Sequence, residues 1–387
     1  MYISEVKSKK EEKDFFDLPQ FIYKNDPNWV PPLDNDIKPI FDPQKNKQFE
    51  NGELVRWIVY DTHKKPLGRI AAFIHLNIAY TYETPTGAIG FFECINDRKI
   101  AFLLFDTAKN WLQSKGIMAM EGPVNFGEKD RFWGLLVKGF GKPTPYLINY
   151  NPAYYIELFE AYGFKNYYEQ YIYNISRDAY IPPLVQRSFN RLKDHGYEFT
   201  SLKLSQMDKY ARDFMEIYNH AWQDVHKHFK PMTFEQAQKT FKSMKAVVDE
   251  DLAIFAYHHK KPVAVFIGIP ELNQIFKYLN GKFNLWGKIR FLFFKWLKGI
   301  NSAYGIVFGI IPEHRNKGVE SGLILSIQKA VVSKNKYKNM YIAWIGDFNP
   351  KMIRIVEILT KNREFTLITY RKLFDEQQKF ERHPRID

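Results

Sequence analysis

Residues 310–323 read IIPEHRNKGVESGL, and the fold turns on this stretch. An apolar run, 303–311, enters Pro312. Arg315, Lys317 and Gly318 follow, and an apolar-periodic helix is expected from Val319 to Ser333. A strand that passes through a glycine-bearing loop into a helix aims several backbone N–H groups at one point. The positive end of the helix dipole then favours an anion there. Gly318 permits close backbone approach, while Arg315 and Lys317 add formal charge. A pyrophosphate is the expected occupant.

Working outward, the order of elements repeats. The second half reads as a strand at 198–204, helices within 207–245, strands at 252–257 and 262–269, the strand and loop above, a strand at 340–345, a helix at 350–361 and a strand at 364–374. The first half gives a short strand, a helix near 9–23, strands at 55–60, 68–75 and 88–95, a helix at 100–114 capped by Asn96 or Asp97, a strand at 117–121, a helix at 151–162 and a strand at 167–175. Asn151-Pro152 and Asn349-Pro350 open corresponding helices 198 residues apart. The first copy carries an insertion within 122–145. Pro182-Pro183 marks a linker. The expectation is a mixed α/β protein of two tandem units, 1–178 and 186–376.

With 387 residues, 45% of them hydrophobic, two cores can form. The net charge of +13 favours anionic partners without choosing among them. Cys94 is the sole cysteine, so no intramolecular disulfide forms, and the start MYISEVKSKKEEKDFF has charges where a signal peptide needs an apolar stretch, so secretion is not expected. A cytoplasmic protein is expected. Segment 283–300, FNLWGKIRFLFFKWLKGI, is interrupted by Lys288, Arg290, Lys295 and Lys298 too often to span a bilayer. It reads as a basic amphipathic helix that would lie on an anionic membrane or cover an acyl chain. The favoured expectation is packing on its own domain, as a cover and not an anchor. His220, His226 and His228 lack the i, i+4 spacing of a metal face, so no metal is expected.

The 310–323 loop resembles the acyl-CoA pyrophosphate loop of the GNAT acetyltransferase superfamily, through Pro312, Arg315, Gly318 and Leu323. Glu320 departs from that pattern, where Gly or Ala is usual. More broadly the chain is similar to a group of bacterial tandem-GNAT proteins, through DPNWVPPL, GFFECIND, EGPVNF, NPAYY and IYNHAW. The resemblance implies two GNAT-like domains, each a mixed sheet flanked by helices, the first without a working cofactor loop. It implies acetyl-CoA or another acyl-CoA held by Ile310, Ile311, Arg315, Asn316, Lys317, Gly318, Val319, Glu320, Ser321 and Asn349, in a gap where two strands part. Trp222 and Phe229 would wall the acceptor pocket, and Asp347, beside the gap, would be the base. Val356 stands where the family often has a tyrosine acid, so no acid is transferred. Glu93, inside an apolar strand, reads foremost as a carboxylate paired with an Arg or Tyr, and secondarily as a proton relay. The implied activity is acyl transfer, most simply acetyl transfer, to a small-molecule or peptide amine. The rivals are an aminoacyl-tRNA-dependent peptidyl transferase of tandem-GNAT type, the one reading that brings in nucleic acid, and a degenerate binding module.

Overall fold

The computed structural model describes residues 1–223, 230–245 and 247–386. The first half runs β1 (Tyr2–Glu5), α1 (Lys9–Ile22), α2 (Asp34–Ile37), β2 (Gly52–Tyr60), β3 (Pro66–His75), α3 (Leu76–Ala79), β4 (Thr86–Cys94), α4 (Arg98–Ser114), β5 (Ala119–Gly122), β6 (Leu135–Lys138), α5 (Tyr155–Ala161) and β7 (Lys165–Ser176). The second runs α6 (Pro183–Asp194), β8 (Tyr197–Ser201), α7 (Met207–Trp222), α8 (Phe234–Met244), β9 (Ala253–His258), β10 (Lys261–Pro270), α9 (Asn273–Phe276), α10 (Leu285–Lys298), β11 (Ser302–Ile310), α11 (Val319–Lys334), β12 (Asn339–Gly346), α12 (Pro350–Glu357) and β13 (Arg363–Leu373).

The order matches the sequence reading, with local differences. Pro183 opens α6 and does not extend a linker, because proline's fixed φ suits the first helical position. Within the expected insertion, β6 forms and pairs with β13.

All described strands join one mixed sheet in the order β1-β2-β3-β4-β5-β13-β7-β12-β11-β10-β9-β8, with β6 alongside β13. The pairs β4/β5 and β11/β12 are parallel, and the other described pairs are antiparallel. The two halves exchange their last strands. The second half's β13 lies against β5, and the first half's β7 lies against β12. Strands β7 and β13 pair with each other at the centre, so each unit supplies a strand that completes the other.

Side chains alternate across the pleat and sort into layers. On β2, Trp57 and Val59 join the core beneath α4 and α5, whereas Ile58 and Tyr60 join the core beneath α1. On β9, Phe255 faces α7 and α8, while Ile254 and Ala256 face α11. Helix starts follow their caps. Ser8 and Glu11 form a capping box on α1, Thr233 and Gln236 form one on α8, and Asn349 caps α12.

Candidate functional site

In the second half β11 and β12 run paired only from Ser302/Asn339 to Gly305/Ile342. Beyond that, β11 stays with β10 and β12 turns to β7, so the strands part. On the face of the sheet covered by α11 and α12, next to the paired part of these strands, lies an apolar slot of about 100 Å³, walled by Phe266, Phe308, Leu323, Met340, Ile342 and Val356.

Past the slot the chain turns through Pro312–His314, and the Ile311 amide donates to the Val263 carbonyl at 3.0 Å. Asn316 (φ 60°) and Gly318 (φ 86°) take left-handed conformations that reverse the chain into α11. Gly318 sits at the N-cap, and no side chain there accepts from the first turn. A Cβ on Gly318 would stand 2.3 Å from Ser188 Oγ, which would have to rotate away, and the left-handed backbone angle is what favours glycine here. Val319 is fully buried, Glu320 half-buried, and the Ser321 amide donates to the Gly318 carbonyl.

The other residues singled out from the sequence are engaged locally. Arg315 donates from Nε to the Ile310 carbonyl (3.1 Å) and from Nη2 to the Ala221 carbonyl (2.7 Å), tying the loop to the end of α7. Lys317 is exposed. Asn349 Oδ1 accepts from the Met352 amide. Asp347 is held at 2.5 Å by Arg382 of the C-terminal segment, and its amide donates to the Glu169 carbonyl. Trp222 covers Gly309 of β11, where a Cβ would come within 2.4 Å of the indole, and stacks on Tyr218. Phe229, like His226 and His228, lies outside the described residues. Among the described residues no group of three potential metal ligands converges.

The first half repeats the parting of strands and fills it differently. Strands β4 and β5 pair from Thr86/Ala119 to Ala88/Glu121. Phe91, at φ 52°, then kinks β4 where its register with β3 slips. Just beyond stands Glu93, whose carboxylate accepts from Tyr23 (2.8 Å) and Tyr155 (2.9 Å) and lies 3.6 Å from Arg69. Arg69 also donates to the Phe15 carbonyl, and its buried Nε has no partner. Burial pushes the Glu93 carboxyl above its usual range, against the charge of Arg69 and the two tyrosine hydrogen bonds. Burial, with Glu93 adding to it, raises both tyrosines as well.

Arg69, Glu93 and Tyr155 form part of the wall of a 490 Å³ cavity. Its far wall comes from the second half, at Asn273, Phe276 and 280–282. The first-half helix terminus is closed to anions, because Asp97 accepts from the amides of Lys99 (2.8 Å) and Ile100 (3.3 Å). The end of β4 is satisfied too: the Cys94 amide donates to Tyr155 Oη and the Cys94 carbonyl accepts from Tyr154. Sequence periodicity marked Glu93 but gave no sign of Tyr23 or Arg69, which reach it from α1 and β3.

Two mixed units, each with a parallel strand pair that opens beside a helix terminus, define a tandem GNAT fold. Solved structures agree. A tandem GNAT protein from the clavulanic acid biosynthesis pathway aligns over 96% of this chain and 98% of its own, with a TM-score of 0.55 at 12% identity. A GCN5-related glucosamine N-acetyltransferase region in a fungal multi-domain β-N-acetylglucosaminidase aligns over 96% of this chain and 38% of its own, with a TM-score of 0.52 at 12% identity. No protein-family model matches the chain. By sequence it is similar to a protein of Caulobacter vibrioides named bacterial ceramide synthase, 27% identical over 373 residues (95% of this chain, 96% of that one). It is also similar to protein YghO of Escherichia coli, 24% identical over 361 residues and 90% of each chain.

Proposed function

We propose that the protein is an acyl-CoA-dependent N-acyltransferase whose acceptor is a long-chain amine. The observation that carries this reading is the opened β11/β12 pair ending at the uncapped start of α11. A helix start with no side-chain cap, with Lys317 beside it, suits a pyrophosphate, and the apolar slot suits the thioester-bearing arm. The name of the Caulobacter relative supports the acceptor, since ceramide is the amide of a fatty acid and a long-chain amino alcohol.

In the reaction the neutral amine attacks the thioester carbonyl, a C–N bond forms, the C–S bond breaks, the amine loses a proton and the departing thiolate gains one. The sequence reading gave the proton to Asp347, which the fold clasps to Arg382. A second reading, favoured by the buried Glu93 cluster, places the amine in the first-half cavity with Glu93 as proton acceptor through water.

Release of free thiol from palmitoyl-CoA, with a long-chain amino alcohol or a polar amine as acceptor, tests the reading. Turnover with the lipid amine is expected. Turnover only with polar amines would overturn the acceptor. Absence of a melting shift at saturating CoA, where a ligand at 100 times its Kd adds about 2.7 kcal/mol, would overturn the donor.

A further inference from the structure

Helix α10 is held to the protein by one narrow face. Gly287 and Phe291 are buried, Phe291 packing on Phe276 and Phe283, while Phe294 stacks on Tyr278. Arg290 donates to the Tyr278 carbonyl. Everything opposite is apolar and open: Leu285, Trp286, Ile289, Leu292, Phe293, Trp296 and Leu297 are each half or more exposed, Trp296 at 81%. At roughly 100° per residue these seven fall within an arc of about 140°, centred nearly opposite Phe291. Lys288 and Lys295 flank that arc on one side and Arg290 on the other, with Lys298 near the attached face. From 282 to 299 there is no acidic residue.

The sequence reading favoured a helix packed on its own domain. The fold attaches it, yet leaves its larger apolar face uncovered by any described residue. An exposed face this apolar is costly in water. The helix has 14 residues, about 21 Å at the usual rise, which is short of the roughly 30 Å hydrocarbon core.

We propose that α10 lies flat in the headgroup region of an anionic bilayer, its aromatic face in the acyl boundary and the flanking Lys288, Lys295 and Arg290 at the phosphates. Charge complementarity selects this occupant, because a second copy of the chain would bring equally basic flanks against these. The placement also has a use. Phe276, which packs on α10, and residues 280–282, which lead into it, line the 490 Å³ cavity. A docked α10 would therefore bring the cavity wall to the membrane surface, where a long-chain amine resides. The docking itself stands whether or not the acylation reading holds.

Co-sedimentation of the full chain with phosphatidylcholine vesicles, with and without about 25% phosphatidylglycerol, tests it. Binding is expected with the anionic lipid and should weaken with salt. The double variant Leu292→Glu, Trp296→Glu should lower partitioning at least about tenfold, while melting and CoA binding remain those of the parent because both positions are exposed. Three results would overturn the proposal: no binding of the parent to anionic vesicles at low salt, undiminished binding of the double variant, or a parent dimer in sedimentation velocity that the double variant dissolves. The last would give the face to a second copy.

Discussion

The two halves begin from one plan and end with different equipment. Each has a parallel pair that opens after three or four residues and a helix that starts beyond the first strand of the pair. In the second half that helix starts at Gly318 with no side-chain acceptor, beside a narrow apolar slot. In the first half Asp97 occupies the terminus and tyrosines satisfy Cys94, while a much larger cavity with a buried Glu–Arg–Tyr cluster opens against the neighbouring unit. Anion binding and chamber building ask different things of one terminus: the first needs bare amides, and the second tolerates their capping. On the proposed reading, the contrast teaches that this tandem divides between its copies what a single unit would have to combine.

The strand exchange limits how separate the copies are, and testing it carries the largest expected effect. A chain ending at residue 362 lacks β13, which pairs with β5, β6 and β7. Both halves should lose cooperative unfolding in calorimetry. A first half that melts unchanged in the truncated chain would show that the exchanged strand completes nothing.

Next comes the anion terminus. Gly318→Asp places a side chain against Ser188 and a carboxylate before the first turn. CoA binding should vanish in titration calorimetry, and turnover should fall with it. Survival of CoA binding would move the cofactor to the other half. The paired substitutions Glu93→Gln and Asp347→Asn then divide the chemistry. On the second reading Glu93→Gln should lower kcat by about 100-fold at unchanged CoA affinity, with the smaller effect at Asp347. The reverse order would keep proton transfer in the second half.

At the seam, the buried Glu271 accepts from the amides of Tyr146 (2.9 Å) in the first half and Asn273 (3.1 Å) in the second. Burial raises its carboxyl from 4.5 to about 7, against those backbone hydrogen bonds. An acid with a raised folded pKa is protonated in the folded state while the unfolded chain has already released the proton. Stability is therefore fullest below about pH 4.5 and falls as pH rises toward 7, by on the order of 3 kcal/mol for this group. Glu271→Gln should flatten that part of the stability curve in denaturant titrations between pH 5 and 8. A slope unchanged by the substitution would place the titration elsewhere.

Much of this was legible in the sequence because it is local. Periodicity located the strands and longer helices, and of the two caps offered, Asn96 and Asp97, Asp97 serves. The exchange of β7 and β13 was not legible, because an alternating apolar pattern fixes which face a strand buries and not which neighbour it takes. Long-range partners were hidden for the same reason. Arg382 reaches Asp347 from 35 residues away, and Tyr23 reaches Glu93 from 70. Arg315 illustrates a third limit: its charge was visible, but whether it faced a phosphate or a carbonyl depended on where α7 ended.

The smallest expected effect sharpens the comparison most, because it asks whether a cap is all that separates the two termini. Asp97→Ala removes the acceptor for the amides of Lys99 and Ile100 and should cost about 1 kcal/mol in chemical denaturation. It also bares a helix start that then resembles that of α11. CoA stoichiometry should nevertheless remain one per chain, for two reasons. The terminus still lacks a left-handed glycine to let a pyrophosphate approach, since Asn96, Asp97 and Arg98 all carry Cβ atoms. The backbone at the end of β4, which a ligand arm in the gap would have to use, stays occupied by Tyr154 and Tyr155. A second CoA bound by the Asp97→Ala protein would mean that the capping carboxylate alone had silenced the first half, and that the tyrosines yield to a ligand.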